Sequence, residues 1–154
     1  AYAMTGWRLG YGVMHESIAK VCNPLIVASN SCTNTFIQYA GIEAYRGPQD
    51  EVEIMKKEFK SRRDLLVNGL NSIPKVSCSL PSGAFYVFPN FRAYGKSSDE
   101  LVDYFLEEAY ISSLPGSTFG IDLEGYVRFS FATDRGNLNE ALNRLEAALK
   151  KVGV

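Results

Sequence analysis

Up to about Pro74 the apolar residues of this chain recur at helical spacing, whereas beyond it they alternate in short runs broken by glycine and proline. The two periods demand different structures, because a helix buries residues three and four apart and a strand buries every second one. The first part should therefore be mostly helical, and the second a small sheet that needs helices to cover it. From Gln49 to Asn71, Val52, Met55, Phe59, Leu66 and Leu70 fall on one helical stripe with charges between them, which predicts one long amphipathic helix. Its Arg62-Arg63 pair reads as a solvated face. Upstream, Arg46-Gly47-Pro48 is a stop signal for a helix that reaches about Tyr45. The run His15 to Val21 predicts a short helix ended by Asn23-Pro24, since the residue before proline resists the helical conformation. Ala28 to Asn34 reads as a polar loop, and Trp7 to Met14 as a strand.

Beyond Pro74 the predicted order is strand, strand, helix, strand, strand, helix. Val76 to Leu80 and Ala84 to Phe88 read as a hairpin around Pro81-Ser82-Gly83, where glycine permits a tight turn. Ser97-x-x-Glu100 has the form of a capping box, followed by the stripe Leu101, Val102, Phe105, Leu106 and Ala109. Asn137-x-x-Glu140 repeats that logic before Ala141, Leu142, Leu145, Ala148 and Leu149. Two helices on a small sheet give an α/β sandwich over about the last half of the chain.

Composition narrows the function. A net charge of −1 supplies no basic field for nucleic acid, so any anion must be held by locally placed arginines. No apolar run approaches the ~20 residues of a membrane helix. Cys22, Cys32 and Cys78 are odd in number and lack a CxxC pair, which reads as buried, reduced structural thiols of a cytosolic protein. His15, the single histidine, has no partners at ligand spacing and reads as a helix-start or surface residue, not a base or a metal ligand. Gly6, Gly10 and Gly12 do not form a dinucleotide fingerprint and instead allow close backbone packing. Lys96 reads as a solvated loop charge.

Two arginines stand out. In Tyr126-Val127-Arg128-Phe129-Ser130-Phe131-Ala132, alternation puts Val127, Phe129 and Phe131 on one strand face and Arg128 with Ser130 on the other. A guanidinium there either joins a surface ion pair or holds a carboxylate through two parallel hydrogen bonds. Arg8, beside Trp7 and among small residues, is either a stacked structural cation or an anion ligand.

Four segments carry a resemblance. Ala1-Tyr2-Ala3-Met4-Thr5-Gly6-Trp7-Arg8-Leu9-Gly10 is similar to the segment that follows the cofactor-binding lysine in pyridoxal-phosphate (PLP) aminotransferases of the aspartate aminotransferase group. Pro81-Ser82-Gly83-Ala84-Phe85-Tyr86-Val87-Phe88-Pro89 resembles their hairpin, Leu114-Pro115-Gly116-Ser117-Thr118-Phe119-Gly120 the turn before their carboxylate-binding strand, and Gly125 to Ala132 that strand itself. The segments occur in family order and spacing across essentially the whole chain.

The resemblance implies an α/β fold of type I: residues 1–48 as the end of the large PLP-binding domain, 49–73 as the long interdomain helix, and 74–154 as the small C-terminal α/β domain. It implies that Arg8 contacts the PLP phosphate and Arg128 the substrate α-carboxylate, and that the Schiff-base lysine falls just before Ala1. No catalytic residue would then lie within the chain, which by itself would be inactive. Of its eight lysines, none lies in a Ser-Lys context before Met4-Thr5-Gly6-Trp7. The implied parent is a cytoplasmic homodimer that moves an amino group from an L-amino acid to a 2-oxo acid, with no metal, nucleic-acid or membrane partner. Ser31 to Asn34 either touches the neighbouring subunit's site, as the equivalent loop does in such dimers, or is a plain polar helix entry. A related PLP lyase or synthase would keep both arginines, and a non-catalytic association module is the alternative from another class.

Overall fold

The computed structural model describes residues 1–152. The chain divides into two compact units, Ala1–Lys56 and the part from Lys57 on.

The first unit holds a 3-10 turn at Thr5–Trp7, helices α1 (Glu16–Asn30) and α2 (Thr35–Arg46), and the start of α3 (Asp50–Ser72). The strand expected over Trp7 to Met14 does not form, and residues 8–14 take no regular structure. A strand draws its hydrogen bonds from a neighbouring strand, and among the described residues this unit contains none. The helix expected to stop at Asn23-Pro24 runs through Pro24 to Asn30. Proline removes one ladder bond, but bonding resumes beyond it: the Ser29 hydroxyl donates to the Leu25 carbonyl at 2.8 Å and the Ser31 amide to that of Val27 at 3.1 Å. The expected loop shrinks accordingly to residues 31–34. Asn34 caps α2 by accepting from the Phe36 amide, and the Gly47 amide closes it on the Glu43 carbonyl at 2.7 Å. Little of this unit is buried. Val13 is 91 % exposed, Tyr39 70 % and Leu25 65 %, while α1 buries no residue.

The second unit has a true core. It contains α3 from Lys57 on, β1 (Tyr86–Val87), α4 (Ser98–Ala109), β2 (Leu114–Pro115), β3 (Val127–Ser130) and α5 (Arg135–Lys151). The strands form an antiparallel sheet in the order β1-β3-β2, with Val87 opposite Phe129 and Leu114 opposite Arg128. Alternation along β3 holds as expected: Val127, Phe129 and Phe131 are buried and pack with Phe91 and Phe105, Leu66 and Leu70 of α3, and Leu145 and Leu149 of α5. The Tyr104 hydroxyl donates to the Ala148 carbonyl at 2.8 Å, joining α4 to α5.

Three strands form where the sequence pattern suggests four. Val76 to Leu80 keeps only a single antiparallel bridge, Ser77 to Asn90. On the opposite edge of this segment Asn71, at the end of α3, accepts from the Cys78 N–H at 2.8 Å and donates to the Cys78 carbonyl at 2.9 Å, tying the segment to the helix. The capping box at Ser97 and Glu100 is present in full. At α5, however, the cap is Asp134, which accepts from the Asn137 amide at 2.9 Å, so Asn137 sits inside the first turn. Arg62 and Arg63 are half-buried and not a solvated face: Arg62 pairs with Glu58, and Arg63 pairs with Asp64 and donates to the Pro81 carbonyl.

Candidate functional site

Arg128 sits on the central strand of the second unit, on the face turned away from the core. Its guanidinium carbon lies 4.2 Å from the centre of the Tyr86 ring and 4.6 Å from that of Phe119. Tyr86 belongs to β1 and Phe119 follows β2, so the two rings reach Arg128 from the two neighbours of β3. Phe88 supports Phe119 edge-on at 5.4 Å. Among the described residues no carboxylate lies within ion-pairing distance of Arg128, which removes the reading of a surface ion pair. A half-buried guanidinium lying over two aromatic rings and without a carboxylate partner has N–H groups to offer an external acceptor.

The backbone that delivers Phe119 and Arg128 is clamped at several points. The Gly116 amide donates to the Tyr126 carbonyl at 2.8 Å, closing the loop between β2 and β3. Arg92 reaches over from the 3-10 turn Arg92–Tyr94, donating from Nε to the Glu124 carbonyl at 2.7 Å and from its terminal nitrogen to that of Asp122, and lies over the Tyr126 ring. Ser98, fully buried, accepts from the Gly125 amide at 2.8 Å, while its own amide donates to the Glu124 carboxylate at 2.6 Å. Gly125 is required twice over, by a φ of +76° and because a Cβ would collide with the Arg92 side chain. Sequence reasoning missed Arg92 and Ser98. Their partners lie 25 to 32 residues away, so no local spacing announces them.

Arg8 lies in the first unit, where it follows the 3-10 turn with a left-handed φ of +54°. Non-glycine residues seldom hold that conformation, and it recurs at binding sites. One guanidinium nitrogen donates to the Thr5 carbonyl at 3.3 Å. Among the described residues Arg8 has neither an aromatic ring beneath it nor a carboxylate beside it, so it is not the stacked structural cation considered above. It borders an open groove of about 560 Å³ whose lining includes Asn30, Ser31, Thr33 and Asn34. An arginine without an internal carboxylate, set among hydroxyl and amide side chains, suits a phosphate dianion. Arg8 and Arg128 thus belong to different units, and each is defined by its own surroundings.

His15 caps α1, its Nδ1 accepting from the Ser17 amide at 3.3 Å, as a helix-start residue should. The cysteines are free, but only Cys78 is buried, and Cys32 is exposed, contrary to the expectation of buried thiols. Burial pushes the Cys78 thiol up to about 11, so it stays protonated at neutral pH. The Lys96 ammonium lies 5.8 Å from the centre of the Tyr104 ring. A separate cavity of about 420 Å³, lined by Leu66, Phe129, Asn137 and Leu142 among others, includes neither arginine.

A mixed α/β chain with these two arginines matches solved aminotransferases over nearly its full length. It superposes with a TM-score of 0.92 on an aromatic aminotransferase from Pyrococcus horikoshii OT3, at 40% identity, covering 97% of this chain and 40% of that one. With the aspartate aminotransferase of Rhizobium meliloti the TM-score is 0.90 at 38% identity, covering 97% and 40%. The profile of the family "Aminotransferase class I and II" matches residues 1–145, and the chain belongs to that family. Among curated relatives, an aspartate aminotransferase of Pyrococcus horikoshii is 43% identical over 151 residues, 97% of this chain and 39% of the relative. The aromatic-amino-acid aminotransferase 2 of Thermococcus litoralis is 40% identical over 97% of this chain and 39% of its own length. The chain thus spans about two fifths of the relatives it matches.

Proposed function

We propose that the chain is part of a PLP-dependent aminotransferase that moves an amino group from an L-amino acid to a 2-oxo acid. In this reading residues 1–48 complete the large domain, 49–73 form the interdomain helix and 74–154 the small C-terminal domain of a cytoplasmic homodimer. Among the described residues no helix is long and apolar enough to cross a membrane. The observation that carries the reading is Arg128, a half-buried guanidinium lying over two aromatic rings and, among the described residues, without an internal carboxylate.

PLP, when bound, supplies the electron sink for chemistry at the amino acid's α-carbon. The residues of this chain bind and orient. Arg8 would hold the phosphate with permanent charge, assisted by the hydroxyl and amide groups along its groove. Arg128 would take the α-carboxylate edge-on, fixing two oxygens and so the direction in which the α-proton points. The names of the relatives direct the donor assay towards aspartate and aromatic amino acids.

In the full-length, PLP-loaded protein, Arg128→Lys is expected to raise KM for the amino acid about ten- to a hundredfold, the worth of one bidentate charge-assisted contact. Arg8→Lys is expected to weaken PLP retention instead. Substrate kinetics and cofactor titration separate the two effects, and unchanged values for both variants would remove the proposed roles. Release of ammonia in place of a new amino acid would identify a lyase. The 154-residue polypeptide alone is expected to be inactive, because none of its lysines stands in the Ser-Lys context. Borohydride reduction after PLP treatment, read by peptide mass mapping, should show no single favoured lysine; one unique adduct accompanied by turnover would refute this.

A further inference from the structure

A guanidinium carries its five N–H donors in its plane, while its two faces are weakly hydrated and stack readily on aromatic rings. At Arg128 two rings lie close to the guanidinium carbon. Tyr86 on β1 and Phe119 after β2 cover the guanidinium from the strands on either side of β3. These two rings make no aromatic pair with each other, although Phe88 pairs with Phe119 and Phe85 with Tyr86. Two rings within 4.6 Å of one carbon that do not pair with each other stand in different directions from it. We propose that Tyr86 and Phe119 are positioning residues that clamp the plane of Arg128, so that it offers an approaching carboxylate a fixed edge. The proposal rests on the assignment of Arg128 to the substrate carboxylate, and adds what makes that arginine selective for a planar, two-oxygen anion.

Without the rings, the long side chain of Arg128 would sample many rotamers and would have to be ordered on binding. Strand pairing alone cannot order it, because the sheet holds the backbone of β3 and leaves the side chain free. The anchorage of both rings fits this task. Tyr86 is paired through its backbone to Ser130, two residues along from Arg128. Phe119 stands at the end of a turn whose first residue, Gly116, is buried against Tyr126 and admits no side chain. Because the clamp acts through Arg128, its effect is expected in carboxylate binding and not in the chemical step.

The test uses the full-length, PLP-loaded protein carrying Tyr86→Leu, Phe119→Leu, Tyr86→Phe or Arg128→Lys, each checked by thermal unfolding. Affinity for maleate, a dicarboxylate with no amino group to react, is read by calorimetry beside the KM and kcat of transamination. Each leucine variant is expected to weaken maleate binding and raise KM about three- to tenfold, in line with one cation–π contact, with kcat within about twofold. Tyr86→Phe keeps the ring and is expected to recover what Tyr86→Leu loses. Leucine variants that bind maleate as tightly as the parent would overturn the clamp, and so would a Tyr86→Phe loss equal to that of Tyr86→Leu, which would assign the effect to the hydroxyl. If Arg128→Lys itself leaves maleate affinity and KM unchanged, the carboxylate assignment fails and the clamp falls with it.

Discussion

At the scale of single residues, the molecule separates charges that are used internally from charges left available. Glu58 accepts from both Arg62 and Arg135, tying α3 to the start of α5. Hydrogen bonding from Arg135, then from Arg62, holds its carboxyl below the usual carboxylate range. A depressed folded-state value means that Glu58 contributes its full stabilisation above the ordinary value and loses it as the pH falls through the lowered one. The stability difference between the parent and Glu58→Gln should therefore be present at neutral pH and close in acid. Parallel urea titrations across the acid range would check this, and a difference that stays constant with pH would show that the ion pair is not its source. Arg8 and Arg128 behave otherwise, having no such internal carboxylate among the described residues. That contrast separates them from Arg62, Arg63, Arg135 and Arg144, each paired with a carboxylate, and from Arg92, whose donors go to the Glu124 and Asp122 carbonyls.

At the scale of elements, what was legible in the sequence was what depends on local periodicity. The stripe from Val52 to Leu70 became α3, and the capping box at Ser97 became the start of α4. Alternation from Val127 to Phe131 placed Arg128 on the face away from the core before any partner strand was known. The failures involve groups that answer to distant partners. Val76 to Leu80 has strand composition yet keeps one bridge, and the Asn71 side chain that ties its Cys78 backbone to α3 from seven residues away leaves no mark in a period-two pattern. Asn71→Ala would leave both Cys78 groups without that partner and is expected to cost about 1–3 kcal/mol, the usual penalty for stranding buried polar backbone. Urea unfolding would measure the cost as a lower midpoint at unchanged slope, and an unshifted midpoint would mean that water satisfies Cys78 equally well. The aromatic clamp was hidden for a related reason. Tyr86, Phe88 and Phe119 were visible as motif residues, but only the strand order β1-β3-β2 brings two of them to Arg128.

At the scale of the whole molecule, the two units differ in how far their own residues bury their apolar surface. The first leaves Trp7, Tyr11, Ile26, Val27, Phe36 and Tyr45 exposed and buries only Gly41, so its helices present much of their apolar surface to water. A patch of that kind favours association. The second packs four residues of and just beyond α3, Leu66, Val67, Leu70 and Ile73, into one cluster with the strands, α4 and α5. Folding autonomy should therefore begin near Lys57, although the change in sequence period falls at Pro74. A polypeptide from Lys57 to Val154 is expected to be a folded monomer with one cooperative transition. One from Pro74 to Val154 loses those four side chains, each worth roughly 2–5 kcal/mol when deleted from a core, a sum comparable to the whole stability of a small domain. It should be unfolded or molten. The full 154 residues should associate through the first unit. Sedimentation and circular dichroism of the three polypeptides decide the matter: a monomeric full chain at high micromolar concentration would refute association through the first unit, and a cooperative transition in the Pro74 polypeptide would show that α3 is dispensable to the core.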